Sequence, residues 1–300
     1  MLSETLKHLK SSVFCLQLLE LYHLPCYWIS TEDYLITVSY WRALVETVED
    51  KIDRFRTYNR AMIAAAFSKP NRRHQGLPAK LLLCSVFDSL SIAVFPNETG
   101  VGKRYRQTIS AHSGWSYHDR VSLLQLCGVL DGLSQVPSYF SDLNGWAQSE
   151  KHKRFAVSNR LLSRDKELEA DPTLQEVLAE WPHQSNGQPE KLDGKFLPSI
   201  FTHNNLLWMY RNKLTHEFRL PGAGVESPFR MEFAPYYQEV STISDIDPVS
   251  GLIFSNRWEL VYPAGFFVQI AKSSLESICL DYRISGTSPF LSYQEGSSWL

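Results

Sequence analysis

From Asp33 to Phe67 the apolar residues Leu35, Val38, Trp41, Val45, Val48, Ile52, Phe55 and Met62 recur at helical spacing, and Glu46, Glu49, Asp50 and Arg54 occupy the opposite side. A helix with one long apolar stripe is stable only when other elements cover that stripe, so this chain must build layers. Lys69 to Pro78 then breaks the period with a basic loop bracketed by Pro and Gly. Ala79 to Phe95 is a second, more apolar helix with Leu83, Val86, Phe87, Leu90 and Val94 on one face, closed by Pro96-Asn97. Asp88 lies inside it, where an unpaired carboxylate is costly. It is expected to form a buried ion pair; orienting a catalytic Arg is the other role open to it.

The same period predicts helices over Asp119 to Leu133, Phe155 to Trp181, Pro198 to Leu220 and, after Pro263, Ala264 to Arg283. His183 to Pro198 reads as a polar loop. Phe229 to Ile243 and Leu252 to Tyr262, rich in aromatic and β-branched residues, are expected to pair as a hairpin. The economical architecture is mainly α: a helical bundle with a small β-hairpin inserted before its last helix. Residues 1–78 form an N-terminal helical segment packed on the core, 79–283 the main helical domain, and 284–300 a loose C-terminal tail.

A length of 300 residues with 44% hydrophobic and 21% charged residues suits an ordinary packed core. The net charge of −2 provides no global positive field, so nucleic-acid binding would have to rest on local patches. Arg72 and Arg73, and Lys103, Arg104 and Arg106, are the candidate phosphate contacts, although such clusters are most often solvated surface. A further basic run spans Lys151 to Arg154. The five cysteines are scattered with no CxxC spacing, which fits a reducing, cytoplasmic setting and indicates no zinc site. Gly100-Val101-Gly102-Lys103 lacks the spacing of a nucleotide loop, so no cofactor is expected. Ser12 to Leu24 is apolar but interrupted by Gln17 and Glu20 and too short to span a bilayer, so no membrane association is expected.

On a wheel of about 100° per residue, the Pro198 to Leu220 helix presents Ile200, Leu207, Tyr210, Leu214 and Phe218 as its core stripe. Arg211 falls at the edge of that stripe, and Asn212, Thr215 and His216 continue round the next sector with Phe201 and Trp208. Pro221-Gly222-Ala223-Gly224 is the stop signal. A sector mixing Arg, Asn, His and aromatics is a contact surface polar enough for chemistry. His titrates nearest neutral pH, and Arg presents a planar fork matched to phosphate.

Arg211-Asn212-Lys213-Leu214-Thr215-His216 resembles the endoribonuclease motif of HEPN domains: an Arg, often followed by a polar residue, then His after four to six intervening residues. The resemblance covers Ala79 to Arg283 and is firmest over Leu206 to Phe218. It implies a metal-independent endoribonuclease in which Arg211, Asn212 and His216 are catalytic. It implies that two protomers pair this helix into one cleft, as a homodimer acting on RNA. Products would be a 2′,3′-cyclic phosphate and a 5′-hydroxyl. Many members are toxins or defence effectors, so an antitoxin or regulatory partner is implied too.

The alternative is a non-catalytic HEPN-like module that binds RNA or protein. In that case Arg211 bridges to a carboxylate and His216 caps the helix end. Arg106 and His112 match the same spacing in a stretch without a strong apolar stripe, and are read as chance or substrate-binding charge. Tyr236, Tyr237 and Trp258 are expected to pack the hairpin rather than stack bases.

Overall fold

The computed structural model describes residues 46–66, 76–156, 165–222, 224, 226, 232–247 and 251–291. The chain divides into two compact units, Met1–Thr47 and Val48–Leu300, of which the second is described here. Its helices are α1 (Val48–Ala65), α2 (Gly76–Val94), α3 (Val101–His112), α4 (Leu123–Asp131) and α5 (Ser141–Arg154), then α6 (Leu174–Glu180), α7 (His203–Glu217) and α8 (Ala264–Ser285). The strands are β1 (Asp165–Glu167), β2 (Tyr236–Asp247) and β3 (Gly251–Val261). The fold is mainly helical with a small antiparallel sheet.

The last helix organises the bundle. Phe266, Phe267, Ile270, Ala271, Leu275, Ile278 and Cys279 are buried along α8, which packs on α1, α2 and α3. Helix α2 packs in turn on α3 and α7. It is long and apolar enough to cross a bilayer by length and composition, but 50% of it is buried within the fold and it carries Lys80 and Asp88. Arg56 and Arg60 of α1 share Glu276 of α8, and Arg283 of α8 reaches Glu49 at 2.7 Å and Asp53 at 2.8 Å. Helix α1 therefore lies in one compact unit with α2–α8.

The expected hairpin forms between β2 and β3, with Tyr236 opposite Val261 and a register shift at Ile243/Asp245. The short strand β1 adds to β2, Lys166 opposite Tyr237, giving the order β1-β2-β3. Among the described residues, that strand and an extended Asp171 interrupt the single helix expected from Phe155 to Trp181. Asp171 precedes Pro172 and is extended, at φ −79 and ψ 149, because a residue before proline is pushed out of the helical region. Helix α6 starts afresh behind a capping box of Thr173 and Glu176. Past Gly286, Phe290 packs edge-on against Phe55 at 5.9 Å. The Leu35 to Val45 part of the first stripe lies outside the described residues.

Candidate functional site

Helix α7 is shorter than its sequence pattern. Pro198–Phe201 forms a separate 3-10 turn, and extended Thr202 at ψ 147 separates it from α7. Leu207, Tyr210 and Leu214 are buried as expected. Phe218 is not: it caps the helix in the left-handed conformation, and its side chain is 68% exposed. Phe201 leaves the Arg211 sector as well, since it is buried between Trp181 and Phe196. Trp208 stays in that sector. Its indole lies so close to α3 that a Cβ on Gly102 would stand 2.8 Å away, which explains glycine at that position.

Arg211 pairs with Asp88 of α2 through Nη2. Its Nη1 donates to Asn212 Oδ1 at 3.1 Å and Thr215 Oγ1 at 3.3 Å, and its guanidinium lies 5.0 Å from the Trp208 ring centroid. The two charged side chains are 15% and 22% exposed, so the pair is neither sealed nor free. Burial pushes the Asp88 carboxyl above the usual range, outweighing the hydrogen bond and charge of Arg211. Asp88 Oδ1, Arg211 Nε, Arg104 Nε and Tyr105 Oη are buried without a hydrogen-bond partner among the described residues. Under-satisfied polar groups at one helix junction require a physical account.

His216 is exposed, with no side-chain hydrogen bond among the described residues. His216 lies five positions after Arg211, so the two side chains leave the α7 axis about 140° apart and about 7.5 Å along it. On that geometry the two positions face different sides of α7. Asn212, Asn205 and Met209 fall on the His216 side, and Met209 is 44% exposed.

The second spacing match has a structural fate. His112 is buried, its Nδ1 3.1 Å from Ser277 Oγ and 3.6 Å from Asp281, and burial lowers its pKa against the pull of Asp281. Among the basic candidates, Lys103 pairs with Glu98 at 2.6 Å and Arg104 donates to the Glu98 carbonyl at 2.9 Å. Arg106 is half-buried near Trp208, while Arg72 and Arg73 lie outside the described residues. Lys151 pairs with Asp131, and Lys153 and Arg154 pair with Glu150. Tyr237 is fully buried, and Trp258 donates to the Phe155 carbonyl at 2.9 Å, as packing residues do.

Two buried networks were not read from sequence. Asp171 Oδ2 meets His203 Nε2 at 2.7 Å and Tyr237 Oη at 2.6 Å; Tyr237 Oη in turn meets Ser122 Oγ at 2.7 Å. Lys80 pairs with Glu226 and donates to Tyr210 Oη at 3.0 Å, while Glu226 accepts from the first amide of α8, Ala264 N, at 2.9 Å. Lys80 could have been found, because a cation in an apolar helix carries the same signal as Asp88. Burial pushes the Cys84 thiol up to about 12 and Cys127 and Cys279 to about 11, which makes them poor nucleophiles. Among the described residues, no group of His, Cys, Asp or Glu could hold a metal ion.

Compared with family models, curated proteins and solved structures, the chain matches none.

Proposed function

We propose that this protein is a metal-independent endoribonuclease of HEPN type, working as a homodimer that pairs two copies of α7. The observation that carries this reading is His216, exposed and free of side-chain hydrogen bonds at the end of the helix that holds Arg211. Because the Arg211 and His216 positions face different sides of α7, the working site combines the Arg of one protomer with the His of the other. A two-fold axis across α7 generates two such sets at once.

In the reaction, the 2′-hydroxyl oxygen attacks the adjacent phosphorus and the bond to the 5′-oxygen breaks, leaving a 2′,3′-cyclic phosphate and a 5′-oxygen that takes a proton from water to become a hydroxyl. His216 takes or orients the hydroxyl proton. Arg211 meets the charge that develops on the phosphorane oxygens, and Asp88, Thr215 and Trp208 hold its guanidinium in place beforehand. Asn212 steadies the Arg or contacts the phosphate. Toxin or defence activity under a regulatory partner is the biological setting that goes with this chemistry.

A non-catalytic module that binds RNA or protein is the second reading, favoured by one observation: Arg211 is already paired with Asp88. End-labelled single-stranded RNA incubated with purified protein in EDTA separates the two. The nuclease reading expects cleavage to cyclic phosphate ends by wild type and none by His216→Ala. RNA left intact by wild type removes the nuclease reading, and equal cleavage by both puts the activity elsewhere.

A further inference from the structure

The indole of Trp208 gathers positive charge and unused donors at the junction of α2, α3 and α7. The Arg211 guanidinium lies 5.0 Å from its ring centroid, and the Tyr105 ring 5.3 Å from it. Its edge meets the first turn of α3 over Gly102. The Cβ that this glycine lacks would stand 2.8 Å from Trp208 Nε1 and 3.1 Å from Arg106 Nη1, so two N–H donors lie beside the same stretch of backbone. Arg104, the residue before Tyr105, adds its charge at Asp88.

The carboxylate that faces these arginines is Asp88, and Arg211 engages it. Arg104 reaches only the Glu98 carbonyl, at 2.9 Å, while the Glu98 carboxylate is taken by Lys103 at 2.6 Å and the Gly100 amide at 3.1 Å. Arg106 makes no hydrogen bond or ion pair among the described residues, and burial lowers its pKa with no carboxylate acting to raise it. The buried orphan atoms repeat the imbalance. Arg104 Nε, Arg211 Nε and Tyr105 Oη can all donate, against one acceptor, Asp88 Oδ1. A half-buried guanidinium without a counter-charge is costly, and surplus donors call for oxygen acceptors. The planar fork of arginine fits a phosphate group, and side chains only 15% and 22% exposed at Arg211 and Asp88 leave an opening suited to a small ion.

We infer that this junction binds a small dianionic oxyanion, inorganic phosphate or a phosphomonoester, held by Arg106 with the Trp208 indole N–H beside it. Arg104 and Arg106, two guanidiniums that no carboxylate pairs among the described residues, set the preference for a dianion over a monoanionic phosphodiester. The site goes beyond the ribonuclease reading and does not depend on it.

Calorimetric titration of the full chain with inorganic phosphate, above its second pKa and at an ionic strength fixed with chloride, is the test. Wild type should bind, and should melt at a higher temperature as phosphate is added. Arg106→Gln should weaken binding about tenfold or more, and Arg106→Lys, which keeps the charge and loses the fork, by less. Arg257→Gln, at an exposed arginine paired with Glu259, should bind as wild type does. Dimethyl phosphate, a monoanionic diester, should bind about tenfold more weakly than phosphate. No binding by wild type, undiminished binding by Arg106→Gln, or an equal loss in Arg257→Gln overturns the inference. Dimethyl phosphate held as tightly as phosphate overturns it too, by making the occupant a diester. Without phosphate, Arg106→Gln should melt no lower than wild type, since it removes an uncompensated charge. A melt lower by about 4 °C or more would give Arg106 a partner within the chain and overturn the inference as well.

Discussion

Helix α7 carries two acid–base pairs of opposite character. Its first residue, His203, meets Asp171 where both side chains are 0% exposed, and Tyr237 Oη and the Leu123 amide complete the carboxylate's partners. Two turns on, Arg211 meets Asp88 in a junction that is partly open and leaves polar atoms on both residues without partners. At the shut end the carboxylate has its donors, although His203 Nδ1 is buried without a hydrogen-bond partner among the described residues; at the open end the carboxylate itself is short of one. The shut end of α7 holds the helix to the sheet and to α4. The open end is where the chain can afford to meet something else.

Asp171→Ala should do the most damage, about 3–5 kcal/mol by urea unfolding, because His203 and Tyr237 stay buried with their acceptor gone. A loss under about 1 kcal/mol would erase the contrast between the two ends. Arg211→Ala should cost less, about 1–3 kcal/mol, since Asp88 is partly solvated, yet it should abolish cleavage.

Asp88→Asn sharpens the comparison through pH. The folded state raises the Asp88 carboxyl, so its contribution is fully present below the ordinary carboxylate pKa and is lost as pH rises through the raised value. Wild type should therefore gain stability relative to Asp88→Asn as pH falls from neutral, in thermal melts run across that range. The opposite trend would mean that Arg211 holds the carboxylate charged. His216→Ala should be the smallest perturbation, within about 0.5 kcal/mol of wild type, while its RNA cleavage falls about 100-fold or more.

Sequence made the long apolar elements legible. Helix α8 starts at Ala264 as its stripe predicts, and β2 and β3 pair as their composition suggests. Helix α5 was invisible because only Leu143 and Ala147 are buried along it, too few to set a period. Helix α3 was obscured by its basic residues, although Tyr105, Thr108, Ile109 and His112 make a buried face. The break at Asp171-Pro172 was written in the sequence and was overridden by the surrounding apolar pattern. At the site, Asp88 stood out as a charge that needed a partner, but nothing local points to Arg211, which is 123 residues away. Asp171 gave no signal at all, because its meaning comes from His203 and Tyr237, brought in by α7 and the sheet. Phe218 fitted the core stripe by position and left it because the helix turns left-handed there.

Subunit complementation tests the central claim most directly. Arg211→Ala and His216→Ala proteins, each inactive alone, are mixed, allowed to exchange subunits and assayed on single-stranded RNA in EDTA. If α7 pairs across a two-fold axis, half the dimers are mixed and each holds one intact Arg/His set, so about a quarter of wild-type cleavage returns. A mixture as inactive as its components, beside a wild type that cleaves, would contradict the account by placing both residues in one chain's own site.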